Sequence, residues 1–234
     1  MKNIILIIGI LLISCQKSGI DIEVNIYGAL FKIMHEGQRE GEVTLIDVIQ
    51  NDHTYGLGAM EGLDGEVIIM NNQILINTAK NGKNPTSQSQ VKDKDKALLL
   101  VTAQVENWQK VSLDESVSIG TIDAAIKKYA NKMGINSNKP FPFIIEGTFS
   151  SVEWHIIDSP DPGGNHDEHM ASSWKRIDSD IKGKILGFYS ESHQTVFTHY
   201  SSFTHMHVLF EDEKLSGHID DIQINIPWQL SVPL

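Results

Sequence analysis

The chain has 234 residues, 41% of them hydrophobic, and a formal net charge of −11. That length and apolar content suit one compact unit or two small, intimately packed ones, and exclude a disordered or fibrous chain. Its basic residues are scattered rather than gathered into a stripe, which excludes nucleic acid as a partner but not a small anionic substrate, because a site's local field can oppose the global charge.

The first twenty residues read MKNIILIIGILLISCQKSGI: one Lys at position 2, an apolar run from Ile4 to Ile13, then Ser14 and Cys15. The run is too short to span a bilayer as a helix and has the form of an export signal, with small Ser14 at the cleavage point. Leu12-Ile13-Ser14-Cys15 resembles the lipobox of bacterial lipoproteins, whose cysteine is acylated. Cys15 is the chain's one cysteine, so an internal disulfide and a thiolate-rich metal site are both excluded. The expected organisation is a signal peptide over 1–14, a lipidated tether over 15–23, and one domain over 24–234, exported and held on a bacterial membrane through Cys15.

Along the chain, the spacing of Ile26, Ala29, Leu30, Ile33 and Met34 predicts a helix. Glycines punctuate Tyr55-Gly56-Leu57-Gly58, and Glu66–Met70 and Gln73–Ile76 read as two strands joined by a tight turn at Asn71-Asn72. Residues 78–96 read as an exposed loop. Ala97–Gln104 is a strongly apolar strand, and Thr121–Met133 is the clearest helix, with Thr121 as its cap. Two strands follow around Phe141–Glu146 and Thr148–Ile157, then a polar excursion from Ser159 to Ser173 that carries His166 and His169. Further strands are expected near Gly183–Tyr189, Thr195–Tyr200, Phe203–Phe210 and His218–Pro227. Many strands and few helices indicate an α+β fold of mixed, largely antiparallel sheets, with its metal site on a β-hairpin.

That hairpin holds the chemistry. Side chains two apart on a strand share a face, so His205 and His207 project together. If the strand after Gly217 returns antiparallel with His207 opposite His218, the facing Cβ atoms lie roughly 5 Å apart, and His205 faces Asp220. Three imidazoles with an open fourth position form the catalytic zinc pattern. His193 and His199 are nearby in sequence, and either could orient a ligand.

These residues resemble the α-acetolactate decarboxylase family. His205-x-His207, ten residues, then Gly217-His218 falling at their end is similar to its metal motif. Tyr55-Gly56-Leu57-Gly58 followed by Leu63-Asp64-Gly65-Glu66 is similar to its G-x-G and L-D-G-E signature. Gly147-x-Phe149-x-x-Val152 and Gly183-x-Ile185-x-Gly187-Phe188 also fit, and the likeness runs in order over residues 25 to 230. The resemblance implies a zinc enzyme, usually dimeric, that converts 2-acetolactate, a small anionic hydroxy-keto acid, to acetoin and carbon dioxide. It implies His205, His207 and His218 as zinc ligands and Glu66 as the catalytic glutamate. The family's active-site arginine position is occupied by His155, which could anchor a substrate carboxylate only while protonated. The family's second acidic residue lies in a C-terminal tail beyond Leu234. Competing expectations are a metal-dependent enzyme acting on another hydroxy-keto acid and a non-catalytic zinc-binding lipoprotein, the latter favoured by ten histidines.

Overall fold

The structure, a computed structural model, describes residues 19–80, 83–159 and 171–234. The expected signal peptide, Cys15, His166 and His169 lie outside the described residues. Among those described, no helix is long and apolar enough to cross a membrane.

In chain order the elements are β1 Val24–Tyr27, α1 Leu30–His35, β2 Val43–Thr44, α2 Leu45–Val48, β3 Thr54–Met60, β4 Glu66–Met70, β5 Gln73–Thr78, β6 Thr86–Gln88, β7 Lys96–Gln104, β8 Trp108–Leu113 and β9 Val117–Ser118. They continue with α3 Ile119–Lys132, β10 Phe141–Ile156, β11 Trp174–Asp178, β12 Ile181–Tyr189, β13 Thr204–Phe210, β14 Leu215–Ile224 and β15 Trp228–Pro233. The fold is thus the expected α+β type with antiparallel sheets.

Two sheets form. One runs β1-β7-β3-β4-β5-β6, with β2 also on β7; the other runs β8-β15-β10-β12-β13-β14-β9, with β11 on β10. Long β10 pairs with β12 over its first half and with β14 over its second, so β10, β12, β13 and β14 close on one another. None of these four strands is left as an open edge; the sheet ends instead in β8, β9 and β11. Met206, Val208 and Phe210 belong to the core inside this closed group, beside Trp154 and Phe149, and Leu209 joins the core between the two sheets with Leu57, Leu99 and Phe188. Strand alternation therefore turns His205, His207 and Leu209 toward the first sheet. Each fully buried aliphatic or aromatic side chain of these cores contributes about 1.5–3 kcal/mol.

Hydrogen bonds fasten the sheets where the site will form. Asn77 on β5 is fully buried; its Oδ1 accepts from the backbone N–H and the hydroxyl of Ser216, at 2.9 and 2.8 Å. Past β10, the Ser159 N–H donates to the Leu63 carbonyl at 3.0 Å.

Several local expectations change. Val24–Tyr27 is claimed by pairing with β7, so helix begins only at Leu30. Residues 141–156 form one strand rather than two, because β12 pairs continuously from Phe141 to Phe149 across Gly147. Part of the 78–96 segment is strand, with Thr86–Gln88 paired to β5. Thr195–Tyr200 is a set of turns, with Thr195 at φ 64°. The long helix starts two residues early; Ser118 is its cap and its N–H donates to Thr121 Oγ1 at 3.0 Å. Asn71-Asn72 is the expected tight turn, both residues having the positive φ that a two-residue hairpin requires. The segment expected as tether already joins the fold at Ile20, whose N–H donates to the Gly134 carbonyl at 2.7 Å.

Candidate metal centre

His205 and His207 sit on β13, and β14 returns so that His218 is the register partner of His207. The candidate ligand atoms of the three rings lie within 4.8 Å of one another. Ring centroids are 5.2 Å apart for His205 and His207, 4.9 Å for His205 and His218, and 5.7 Å for His207 and His218. Glycine precedes the third ligand for a steric reason: a Cβ on Gly217 would lie 2.3 Å from the His155 carbonyl oxygen, so only glycine lets β14 approach β10 this closely.

The expected pairing of His205 with Asp220 does not form. His205 pairs with Phe188 of β12, while β14 leaves β13 after His218 and runs along β10. That departure brings His155 across from His218.

The second sheet face receives a residue from the first. Glu66 opens β4 immediately after Gly65, whose φ of +121° is one that L side chains rarely adopt and whose Cβ would lie 2.4 Å from the Asn77 carbonyl oxygen. The buried Glu66 carboxyl places Oε2 3.5 Å from His207 Nε2 and Oε1 4.0 Å from His155 Nε2. The Ile157 N–H donates to Oε1 at 3.4 Å.

Electrostatics follow from this enclosure. Burial lowers the pKa of all three triad histidines, His205 to about 3, and the neighbouring imidazoles push in the same direction. They are therefore neutral near pH 7, the form a metal requires. Burial raises the Glu66 carboxyl well above its usual range, against the smaller opposing effect of the Ile157 N–H. His207 Nδ1 and Nε2 and His205 Nδ1 are buried without a hydrogen-bond partner; the Val67 and Phe197 carbonyls that oppose the ring shifts stay outside hydrogen-bond geometry. Buried polar groups left unpaired cost about 1–3 kcal/mol each, and a metal ion held by the triad would occupy one of the two unpaired His207 nitrogens.

A cavity of about 90 Å³ opens onto the triad. Glu66, His155, His199, His205 and His218 line one part of it, and α1 with Leu63, Leu99 and Ile157 supplies an apolar wall. No lysine or arginine is among its described lining residues. His199 stands beside the triad, its ring 5.3 Å from that of His218. His193 does not: its Nδ1 bonds Ser190 and Ser192, and its ring stacks on Phe197. Asp220, which contacts His155, carried no signal in the sequence for that role, because the contact depends on where β14 crosses to β10.

A hairpin carrying three converging imidazoles beside a buried carboxyl is an arrangement that could hold a metal ion. Residues 27–232 match the sequence profile described as alpha-acetolactate decarboxylase, and the chain belongs to that family. The fold agrees. The chain is similar to alpha-acetolactate decarboxylase from Bacillus subtilis strain 168, with a TM-score of 0.70 and 16% identity over 90% of this chain and 86% of that one. Acetolactate decarboxylase from Bacillus subtilis subspecies spizizenii superposes with a TM-score of 0.71 at 16% identity, over 90% and 85% of the two chains. A Staphylococcus aureus protein of unknown function, similar to alpha-acetolactate decarboxylase, gives a TM-score of 0.68 at 19% identity over 89% and 84%. A sequence comparison with curated proteins finds no match.

Proposed function

We propose that this protein decarboxylates 2-acetolactate to acetoin and carbon dioxide, with zinc held by His205, His207 and His218. The observation that carries the reading is the placement of buried Glu66 3.5 Å from His207, on the cavity that Glu66 lines together with His205 and His218. When bound, zinc would supply a Lewis acid that draws electrons toward the substrate's ketone oxygen.

The chain's own residues account for the rest. Loss of carbon dioxide from a β-keto acid leaves an electron pair that must be quenched by a proton at carbon. Glu66, kept uncharged by burial, has that proton to give, and the Ile157 N–H holds its carboxyl in place. Leu63, Leu99 and Ile157 exclude water from the reacting carbon and accommodate the substrate's methyl groups.

Acetoin release by the purified full chain, stripped of metal and then reconstituted with zinc, tests the proposal. The expected result is zinc-dependent release, reduced at least about 100-fold in kcat by Glu66→Gln at unchanged zinc content. No release by the zinc-loaded protein would refute it.

A further inference from the structure

Asp220 is the residue of β14 with no partner across β10: the pairing passes from Glu153–Asp221 directly to Trp154–Ile219. Such a bulge re-aims a side chain, and bulges recur beside active sites. Here His218 stands across from His155, which makes Asp220 the diagonal neighbour of His155 on the same face. Freed from the ladder, the Asp220 carboxylate leans onto His155, with both oxygens 2.9 Å from Nδ1.

That contact decides what His155 shows the cavity. A carboxylate only accepts hydrogen bonds, so this contact makes Nδ1 the ring's donor and selects the tautomer whose lone pair is on Nε2. Nε2 points to the side of Glu66, whose Oε1 is 4.0 Å away, beyond hydrogen-bonding distance. An acceptor there does not suit a substrate carboxylate, the role expected of His155 from the sequence. It suits a hydroxyl.

We propose, on the reading above that the substrate is a hydroxy-keto acid, that Asp220 is a positioning residue that sets His155 as the hydrogen-bond acceptor for the substrate's hydroxyl. The site then selects 2-hydroxy-3-oxo acids over analogues lacking the hydroxyl. Where a buried acceptor is built to read a hydroxyl, the analogue leaves it unpaired and is rejected.

Two measurements test this. Nitrogen-15 NMR of the metal-free protein reads the tautomer directly, with His155→Gln identifying the signal. Wild type should carry the His155 proton on Nδ1 alone, and Asp220→Ala should lose that preference. In parallel, the zinc-loaded enzyme is given 2-acetolactate and 2-methyl-3-oxobutanoate, which has hydrogen in place of the hydroxyl. Asp220→Ala should lower the kcat/KM ratio for the two substrates about 10- to 100-fold at unchanged zinc content, and Asp220→Glu should restore part of it. A wild-type ring protonated at Nε2, or an unchanged ratio in Asp220→Ala, overturns the proposal while leaving the decarboxylase reading intact. Zinc-loaded wild type that turns over neither substrate overturns that reading, and the hydroxyl role falls with it.

Discussion

Acidification of the metal-free protein should expose the buried cluster through its proton count. In the unfolded chain the three triad histidines take up protons below their ordinary pKa of 6.5, and Glu66 loses its proton above 4.5. Between those values the unfolded chain therefore binds three protons on these four groups. In the folded chain burial holds the histidines neutral and Glu66 protonated, one proton in all, and the count is the same if Glu66 and His207 exchange it. The depressed histidines contribute stability that is full above pH 6.5 and is lost as pH falls. The raised carboxyl has the opposite sign, its stability being lost as pH rises above 4.5. The net difference of two protons makes stability fall by about 2.7 kcal/mol per pH unit on acidification inside that window. Because each histidine is only half protonated at pH 6.5 in the unfolded chain, the total lost from pH 6.5 to 5.0 is about 3 kcal/mol, a large part of an ordinary domain's stability. His207→Gln removes one proton from the unfolded count, so this contribution to the slope should halve to about 1.4 kcal/mol per unit, whereas Glu66→Gln empties the folded cluster and should raise it to about 4.1. Urea unfolding of chelator-treated protein between about pH 5 and 6, followed by tryptophan fluorescence, measures all three slopes. Titration common to the rest of the chain cancels between variants. Equal slopes, or a shallower slope for Glu66→Gln, would refute the assignment of a single proton to the folded cluster.

Other outcomes are expected alongside this one. Metal analysis should give one zinc per chain, falling sharply in His205→Ala and in His218→Ala; several weakly held metals insensitive to both would support a carrier instead. Gly65→Ala, forced into a strained φ and against the Asn77 carbonyl, should cost about 1–3 kcal/mol in unfolding free energy and shift Glu66 enough to lower kcat. Full-chain protein expressed in bacteria should partition with membranes through an acylated Cys15, and Cys15→Ser should move it to the soluble fraction or block its processing; unchanged partitioning would exclude the lipid anchor.

How much of this was legible before folding depends on how far each contact reaches along the chain. The alternation of His205-Met206-His207-Val208 and the eleven-residue return to His218 are local properties, and the observed partnership of His207 with His218 follows from them. The Leu63–Glu66 motif likewise placed a glycine before the glutamate where the backbone needs a positive φ. Nothing local says that Glu66 meets His207. They lie on different sheets, and their approach depends on the shared core and on clamps such as Asn77 to Ser216, which join segments far apart in sequence. The helix expected over Ile26–Met34 was shortened for the same reason, since pairing with a strand some 75 residues away outweighed the local period. Asp220 is the clearest case. The sequence placed it opposite His205; only the point at which β14 leaves β13 for β10, and the unpaired residue that this crossing creates, brings its carboxylate to His155. The chain's order of residues determined that His205, His207 and His218 gather at one point, because their spacing is short and strand geometry is periodic. The tertiary structure alone decided that Glu66 and the His155–Asp220 pair stand beside them, because the first contact depends on how the two sheets pack and the second on where β14 crosses to β10.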